Sequence, residues 1–196
     1  YLTGNPQITF FKVVYRRHTN FSMEAIEQTW NGTTTSDGRC TATISRNGDL
    51  VYRMYIDVRG QMGDTTSSNP GSELIKNVEL EIGGQRIDRH SGLWMEAWAE
   101  LTQPNPSGTV ASVVVNTASS NGTPFQNMSG MGGAVGADID NLDLFIPLQF
   151  WFCRNPGLAL PLIALQYHEV KIILDHVIGT TFPESVSHNK LWCDYI

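Results

Sequence analysis

The stretch from Pro147 to Leu174, PLQFWFCRNPGLALPLIALQYHEVKIIL, decides the fold class. It predicts two strongly apolar strands joined by an ordered connection that turns at Asn155-Pro156-Gly157. Residues two apart on a strand share a face, so each strand has one continuous apolar face. These faces are Leu144, Ile146, Leu148, Phe150 and Phe152 in the first strand, and His168, Val170, Ile172 and Leu174 in the second. Such strands form the buried core of an all-β protein.

Two hairpins are predicted earlier in the chain. Asn47-Gly48 separates two alternating segments, CTATISR and DLVYRMYIDV. Asn and Gly both tolerate the positive φ that a type I′ turn needs, so this dipeptide predicts a hairpin. The second segment then places one face inward: Leu50, Tyr52, Met54, Ile56 and Val58. A second hairpin is predicted at Gly83-Gly84, between IKNVELEI and QRID.

A short amphipathic helix is predicted from Ser91 to Gln103, with Ser91 as its N-cap and Pro104 as its stop. Its apolar residues recur at helical spacing: Leu93, Trp94, Ala97, Trp98 and Leu101. We expect this stripe to pack on the β core, with the tryptophans closing one end of it.

The remaining segments are strands and loops. The segment from Gln7 to Tyr15 predicts a first strand, and the apolar residues between Phe21 and Trp30 shift phase, which fits either a bulged strand or a short helix. Asn105 to Asn141 is a long polar loop with one short strand at Val110–Val115. Together these patterns predict an all-β, antiparallel, eight-stranded jelly-roll sandwich with one short helix and long polar loops.

Domain organisation follows from length. A single jelly-roll domain over residues 1–196 is ordinary for this size. The chain starts at Tyr1 without a Met, and its last residues, LWCDYI, form an alternating segment. We therefore expect the sequence to be a piece of a longer polypeptide.

Composition excludes several classes of function. The formal net charge is -6 and the longest basic cluster is Arg16-Arg17-His18, so no direct nucleic-acid binding is expected. No apolar run reaches the roughly 20 residues that a membrane helix needs. The three cysteines, Cys40, Cys153 and Cys193, lack metal or disulfide spacing and are expected to be small buried apolar residues.

Candidate reactive groups do not assemble into a site. The five histidines, His18, His90, His168, His176 and His188, include no His-x-His pair of the kind a strand metal site needs, and His168 is expected to be a core or core-edge histidine. Asp138, Asp140 and Asp143 lie close together but lack the pattern of a calcium loop. No nucleophile signature occurs, so no catalytic residue, metal site or cofactor is predicted. Asn20, Asn31, Asn121 and Asn127 stand in glycosylation tripeptides and are possible glycosylation sites.

Four long motifs then carry a family resemblance: YLTGNPQITFFKVVYRRHTNFSME, ISRNGDLV, VELEIGGQRIDRHSGLWMEAWAELT and PLQFWFCRNPGLALPLIALQYHEVKI. They closely resemble the major capsid proteins of nucleocytoplasmic large DNA viruses, of the phycodnavirus and iridovirus type. The resemblance covers nearly the whole chain. It extends over the first jelly roll of that family, and a second jelly roll is not present in this sequence.

The resemblance implies a structural protein and not an enzyme. In that family two consecutive jelly rolls form one subunit, and three subunits form a trimeric, pseudo-hexagonal capsomer that tiles an icosahedral shell. It further implies neighbouring capsomers, minor capsid and penton proteins as partners, no cofactor, an internal viral membrane that is near but not spanned, and assembly in the host cytoplasm. Trp30 and Phe125 are our candidates for aromatic residues that face a partner.

Two other functions stay open at the level of sequence. A carbohydrate-binding jelly roll would stack exposed aromatic rings on sugars and bind hydroxyl groups through Asn and Asp. A cupin-like metalloenzyme would require converging histidines, which the spacing disfavours.

Overall fold

A computed structural model of the chain describes residues 20–61, 66–104, 113–114, 122–137 and 142–196. Strands dominate these residues and form two five-stranded sheets and one three-stranded sheet. The strands are β1 (Glu24–Gln28), β2 (Trp30–Gly32), β3 (Gly38–Thr43), β4 (Leu50–Gln61), β5 (Thr66–Ser68), β6 (Ile75–Ile82), β7 (Gln85–Ser91), β8 (Val113–Val114), β9 (Ala134–Ala137), β10 (Leu142–Pro147), β11 (Leu160–Pro161), β12 (Val170–His176) and β13 (Ser185–Tyr195).

Short helices connect the strands. They are α1 (Pro70–Glu73), α2 (Gly92–Thr102), α3 (Pro124–Ser129), α4 (Trp151–Arg154) and α5 (Ile178–Thr181), with 3-10 turns at Pro156–Leu158 and Leu162–Leu165. The predicted helix is confirmed as α2, and its predicted cap forms: Ser91 Oγ accepts a hydrogen bond from the backbone N–H of Trp94. The predicted count of eight strands and one helix is too low, because the described residues alone form thirteen strands and five α-helices.

The two large sheets form the predicted antiparallel sandwich. The first has the order β1-β13-β4-β10, with β11 paired to β4, and the second has the order β2-β3-β12-β6-β7. Without the short strands β2 and β11, each sheet has four strands, and the arrangement is consistent with a jelly roll. The inner faces of the two sheets share one hydrophobic core.

Alternation of the predicted kind builds that core. Met54, Ile56 and Val58 of β4 are buried, and so are Ile172 and Leu174 of β12. Odd and even positions differ in burial along the whole of β12, and along β4 from Arg53 onwards. The predicted inner faces are therefore confirmed from Tyr52 to Val58 and from Val170 to Leu174, whereas Leu50 is only half-buried and Val51, of the opposite parity, is fully buried.

The predicted hairpin at Asn47-Gly48 is wrong. β3 pairs with β2 and β12, whereas β4 pairs with β10, β11 and β13, so the dipeptide carries the chain from one sheet to the other. Neither residue has a positive φ. Both flanking strands have one buried face, but β3 belongs to the second sheet and β4 to the first. The residues of the turn carry no information about which sheet each strand joins. The hairpin at Gly83-Gly84 is confirmed, with φ of 61° and 81° and Ile82 opposite Gln85.

In the segment from Pro147 to Leu174, the side chains predicted to face the core are mostly buried, but the strands are shorter than predicted. The first strand ends at Pro147, and Leu148, Phe150 and Phe152 reach the core from a loop and from α4. The second strand begins at Val170, so His168 precedes it. His168 is exposed at the end of the second sheet, with its ring against Gly83, so the predicted core or core-edge role is wrong.

The other predictions resolve as follows. Phe21 to Trp30 contains β1 and the start of β2 and no helix, and the predicted phase shift at Ile26 lies inside β1, which pairs with β13 in regular register. The predicted loop from Asn105 to Asn141 contains α3, β8 and β9, so it is more structured than predicted. Val113–Val114 falls inside the short strand predicted there. The predicted strand from Gln7 to Tyr15 and the Arg16-Arg17-His18 cluster lie outside the described residues.

Candidate assembly surfaces

The helix α2 lies at one edge of the sandwich, where it follows β7 directly. Gly92, Met95 and Ala99 form its buried face. Gly92 approaches the backbone of α1 and β6 so closely that an added Cβ would lie 2.0 Å from Ser72 O and 2.3 Å from Ile75 O. The absence of a side chain at Gly92 therefore sets the position of the whole helix.

A row of stacked rings fastens α2 to its neighbours. The ring centroids of His90 and Trp94 are 4.1 Å apart, those of Trp94 and Trp98 are 5.5 Å apart, and His90 also stacks on Phe150 at 5.1 Å. The guanidinium carbon of Arg154 lies 4.2 Å from the ring centroid of Trp98. Stacked rings and a cation over a ring both add to the energy of buried area. Trp94 thus packs against the core as predicted, whereas Trp98 packs on Trp94 and Arg154 and lies outside the core.

His90 is a structural member of this row. Its ring is buried, and Nε2 lies 3.3 Å from Asp88 Oδ2. Burial lowers the pKa of His90, and the nearby Arg154 cation acts in the same direction, whereas Asp88 opposes the shift. The imidazole, which packs between the rings of Trp94 and Phe150, is therefore neutral near pH 7.

The opposite face of α2 is exposed, contrary to the prediction that the whole apolar stripe packs on the core. Leu93 and Leu101 are each 83% exposed, and Ala97 and Glu100 are exposed between them. We call these four residues the α2 ridge. Large apolar side chains at such exposure on one helix face indicate a contact surface.

A groove of about 670 Å³ lies beside the ridge, on the outer face of the first sheet. We call it the edge groove. It is lined by Tyr52, Arg53, Met54, Tyr55, Trp98, Gln103, Phe125, Met128, Phe145, Pro147, Leu148, Gln149, Cys153, Arg154 and Asp194. Phe145 and Met128 are 38% and 42% exposed, and the rings of Tyr55 and Phe145 are 6.2 Å apart. The groove is therefore mostly apolar, with charged groups at Arg53, Arg154 and Asp194.

Charge in the edge groove is unevenly compensated. Burial raises the pKa of Asp194, and Arg53 partly offsets this shift. Arg154 donates from Nε to the carbonyl of Gln149 and otherwise covers the tryptophan rings. Two guanidinium groups thus share the groove with one half-buried carboxylate.

The edge groove was not predicted from the sequence. Phe145 could have been found, because it has the opposite parity to Leu144 and Ile146 and must point away from the core. Arg154 carries no such signal, since its contact with Trp98 joins residues 56 positions apart. Trp30 and Phe125, the predicted partner-facing aromatics, are both half-buried against the core, and Phe125 also lines the groove.

A second apolar patch lies at the other end of β6. Ile163 and Tyr167 are 71% and 87% exposed in the connection before β12. Arg46 Nη2 donates to Leu165 O at 2.6 Å, which ties this connection to the segment between β3 and β4. His168, the residue after Tyr167, contacts Gly83 in the turn between β6 and β7. We therefore call Ile163 and Tyr167 the turn-end patch.

The predicted glycosylation sites differ in accessibility. Asn20 and Asn31 are exposed, and Asn121 lies outside the described residues. Asn127 is half-buried in α3, and its Nδ2 donates to Gly122 O at 3.1 Å and to Thr123 O at 3.2 Å. The amide nitrogen that a glycan would occupy is therefore already engaged at Asn127.

The other candidate reactive residues are separated. Cys40 and Cys193 are buried as predicted and Cys153 is half-buried, all as free thiols. Burial raises the pKa of Cys40 and of Cys153 to about 12, which disfavours a reactive thiolate. Asp143 forms a salt bridge with Arg59, and Asp138 and Asp140 lie outside the described residues.

Titratable and metal-ligating groups form no centre in the described ranges. His176 is buried, and its Nε2 lies 2.9 Å from Thr33 O, while His188 pairs with Asp57 at 2.9 Å on the outer face of the first sheet. In the part of the chain that the structure describes, no three His, Cys, Asp or Glu side chains converge as metal ligands. No helix among those residues has the length and apolar character to cross a membrane.

The described residues thus form an antiparallel jelly-roll sandwich with exposed apolar side chains along one edge. Sequence comparison identifies the family: residues 9–180 match the one described as major capsid protein N-terminus, and the chain belongs to that family. The major capsid protein of Pyramimonas orientalis virus is 50% identical over the whole chain and 49% of its own length. That of Paramecium bursaria Chlorella virus 1 is 40% identical over the whole chain and 44% of its length.

Solved structures agree with this assignment. A quasi-atomic model of the PBCV-1 virus capsid superposes with a TM-score of 0.74 at 34% identity, over 95% of this chain and 45% of that one. The Faustovirus major capsid protein, at 13% identity and a TM-score of 0.53, shares the fold. The chain spans about half the length of the relatives that it matches.

Proposed function

We propose that residues 1–196 form one jelly-roll domain, the first half of a major capsid protein. Three copies of the whole protein form a trimeric, pseudo-hexagonal capsomer, and capsomers tile an icosahedral shell. The observation that carries the proposal is the family match over residues 9–180, in a chain that spans half of its relatives. The antiparallel sandwich with an apolar edge supports the same conclusion.

The activity is structural and not enzymatic. Capsid assembly needs burial of complementary surface and no cofactor, because a permanent interface of roughly 2,000 Å² or more outweighs an association cost of about 4–15 kcal/mol. Exposed apolar residues such as Leu93, Leu101 and Phe145 are suited to such burial.

The proposed setting is the capsid of the virion, assembled in the host cytoplasm. Partners are further copies of the protein, neighbouring capsomers, and minor capsid and penton proteins. The internal viral membrane is near but not spanned. The net charge of -6 supports a shell protein without direct nucleic-acid contact.

The mass of the native particle tests this proposal. The full-length gene product is purified and measured by light scattering after size exclusion. A compact particle of three chains, each about twice the length of this one, is expected. A stable monomer at micromolar concentration would contradict the proposed capsomer.

The carbohydrate-binding alternative gains no support from the edge groove. Tyr55 and Phe145 are inclined at 57°, and Trp98 is covered by Arg154 on one side and stacked on Trp94. Sugar recognition needs an open ring face, which these contacts occupy or tilt. A glycan-binding screen of the same particle is expected to show no specific saccharide.

A further inference from the structure

We propose that His90 is an acid-sensitive latch: its neutral ring holds α2 against the sandwich, and its protonation below neutral pH releases the helix. We call this arrangement the His90 latch. It goes beyond the proposed function, because it works within a single chain. Three features carry it: the position of the ring between packed elements, the surroundings of its two nitrogens, and the charges around it.

The ring of His90 joins α2 to the rest of the domain. His90 belongs to β7, and its ring lies between Trp94 of α2, at 4.1 Å, and Phe150, at 5.1 Å. Phe150 directly precedes α4 and is fully buried, where it stacks on Phe152. Of the three rings in this stack, only the imidazole takes up a proton close to neutral pH. The proton-binding group is therefore the middle member of the contact between the helix and the core.

The two ring nitrogens of His90 have unequal surroundings. Nε2 lies 3.3 Å from Asp88 Oδ2, so the neutral ring carries its proton on Nε2 and donates it to the carboxylate. Nδ1 is buried and has no hydrogen-bond partner among the described residues. A second proton must bind at Nδ1, where it creates a buried N–H group without an acceptor. Burial of an unpaired donor on a cation is costly, so the packed ring resists protonation.

Two charged residues act on His90 in opposite directions. Asp88, two residues earlier on β7, attracts a proton to the ring. Arg154 of α4 repels it, because its guanidinium carbon lies 5.7 Å from the ring centroid of Trp94, which stacks on the imidazole. Burial is the largest effect, and with Arg154 it outweighs Asp88, so the pKa of His90 is lowered from its ordinary value of 6.5.

The other carboxylates on the elements around the ring are engaged elsewhere. On β6 the residue opposite His90 is Val78, and the next residue, Glu79, pairs with arginines on the outer face of the second sheet. On α2, Glu96 accepts hydrogen bonds from two backbone N–H groups of the segment after α3, and Glu100 is exposed. These carboxylates therefore do not compensate for a second proton on the ring.

Acid weakens the packed state for this reason. A released ring regains the ordinary pKa of 6.5, so the latch is fully effective above that pH and becomes weaker as the pH falls below it. If the packed ring stays neutral, the equilibrium between packed and released helix shifts by up to about 30-fold at pH 5.0. The helix is the part that is released, because His90 is held in the β7 ladder and Phe150 is fully buried, whereas one face of α2 is exposed.

Release of α2 changes the apolar edge of the domain. Leu93 and Leu101 are exposed on this helix, and Trp98 forms one wall of the edge groove. The two large sheets do not depend on α2 for their pairing. The His90 latch therefore makes the shape of this edge dependent on pH while the sandwich persists.

Hydrogen exchange of the full-length gene product tests the latch. Exchange is followed by mass spectrometry at pH 7.5 and pH 5.0, with exchange times scaled to the intrinsic amide rate at each pH. Protection of peptides from α2 is expected to fall by up to about 30-fold at pH 5.0, whereas peptides from β4 and β12 are expected to keep theirs. Equal protection of α2 at the two pH values would overturn the inference.

Replacement of His90 separates the latch from other acid effects. His90→Phe keeps a ring between Trp94 and Phe150 but cannot be protonated, and it is expected to abolish the acid response of α2. His90→Gln, which lacks the ring, is expected to lower protection equally at both pH values and so checks the result if the phenylalanine does not fit. His188→Phe is the matched control, because His188 pairs with Asp57 on the outer face of the first sheet, and it is expected to respond as the wild type does. An acid response that persists in both His90 variants would refute the latch.

A direct titration tests the charge argument. In full-length protein with 13C at histidine Cε1, the resonance missing from His90→Phe belongs to His90. Its midpoint is expected below pH 6.5 and is expected to rise in Arg154→Gln, because a repelling cation is removed. A midpoint at or above 6.5 in the wild type would overturn the inference. Particle mass plays no part in these tests, so the latch and the proposed capsomer stand or fail separately.

Discussion

Replacement of Gly92 by alanine is expected to destabilise the protein, although alanine is the better helix former. A Cβ at this position would lie 2.0 Å from Ser72 O and 2.3 Å from Ile75 O. Contacts below 3.0 Å essentially do not occur for Cβ atoms, so the backbones must separate by at least 1.0 Å and 0.7 Å respectively. Both carbonyls belong to segments packed in the core, and neither can move as a flexible side chain would.

The magnitude follows from two opposing terms. Alanine in place of glycine normally stabilises a compatible position by about 0.4–1 kcal/mol. Overpacking of a tightly packed contact costs about 1–3 kcal/mol, and here two backbone contacts are violated at once. A net loss of about 2 kcal/mol is expected, which lowers the melting temperature of a domain of this size by about 4–8 °C.

The measurement is equilibrium unfolding in urea, followed by tryptophan fluorescence. Trp94 and Trp98 lie on the displaced helix, so the native emission is also expected to change. Gly157→Ala is the matched control, because the nearest atom to its added Cβ would be Asn155 Oδ1, at 3.2 Å, and no backbone atom would be as close. If Gly92→Ala were as stable as the wild type, the argument that this close approach positions α2 would be refuted.

Three further predictions concern other parts of the molecule. Thr123→Ala removes one of the two hydrogen bonds of the capping box of α3, the one that Thr123 Oγ1 accepts from Gln126 N–H, and keeps the one that Gln126 Oε1 accepts from Thr123 N–H. The change is expected to lower the free energy of unfolding in urea by about 1 kcal/mol, and an unchanged midpoint would contradict this. If the virion protein carries N-linked glycans, mass spectrometry is expected to find Asn127 unmodified, because its amide is held by the backbone, and a glycan there would disprove the accessibility argument. Burial raises the pKa of Cys40 to about 12, so the contribution of this thiol to stability is full below about pH 9 and is lost as the pH rises towards 12. Cys40→Ala is therefore expected to flatten the decline of the urea midpoint between about pH 9 and about pH 12. An identical slope in the wild type and the variant would exclude Cys40 as the origin of the decline.

Local sequence patterns predicted the structural elements that depend only on neighbouring residues. Ser91 fixed the start of α2 because its side chain caps the helix, and Gly83-Gly84 fixed a hairpin because both residues adopt positive φ. The alternation in β4 and β12 predicted most of the buried side chains of these strands, although it missed Val51. These properties depend on a few adjacent residues and on the period of the strand.

Properties that depend on distant partners were not predictable. Asn47-Gly48 has the chemistry of a hairpin turn, but its flanking strands find better partners in two different sheets. His168 has the parity of the core strand, but the backbone enters β12 only at Val170. The exposure of Leu93 and Leu101 follows from the packing of Met95 and Ala99, and helical spacing alone cannot tell which part of a wide apolar stripe is covered.

The outer face of the second sheet explains why assembly is expected at the α2 edge and not there. Glu79 lies between three arginines, with oxygen-to-nitrogen distances of 3.4 Å to Arg86, 3.4 Å to Arg89 and 3.6 Å to Arg39, and Arg39 also pairs with Asp175. Burial of such a network would remove water from several charges that already satisfy one another, and the desolvation cost can exceed the gain. The ridge and the groove expose large apolar side chains, Leu93, Leu101, Met128 and Phe145, and burial of these side chains releases water from apolar surface. On these grounds we expect subunit contact at the edge that α2 forms rather than on the charged outer face of the second sheet.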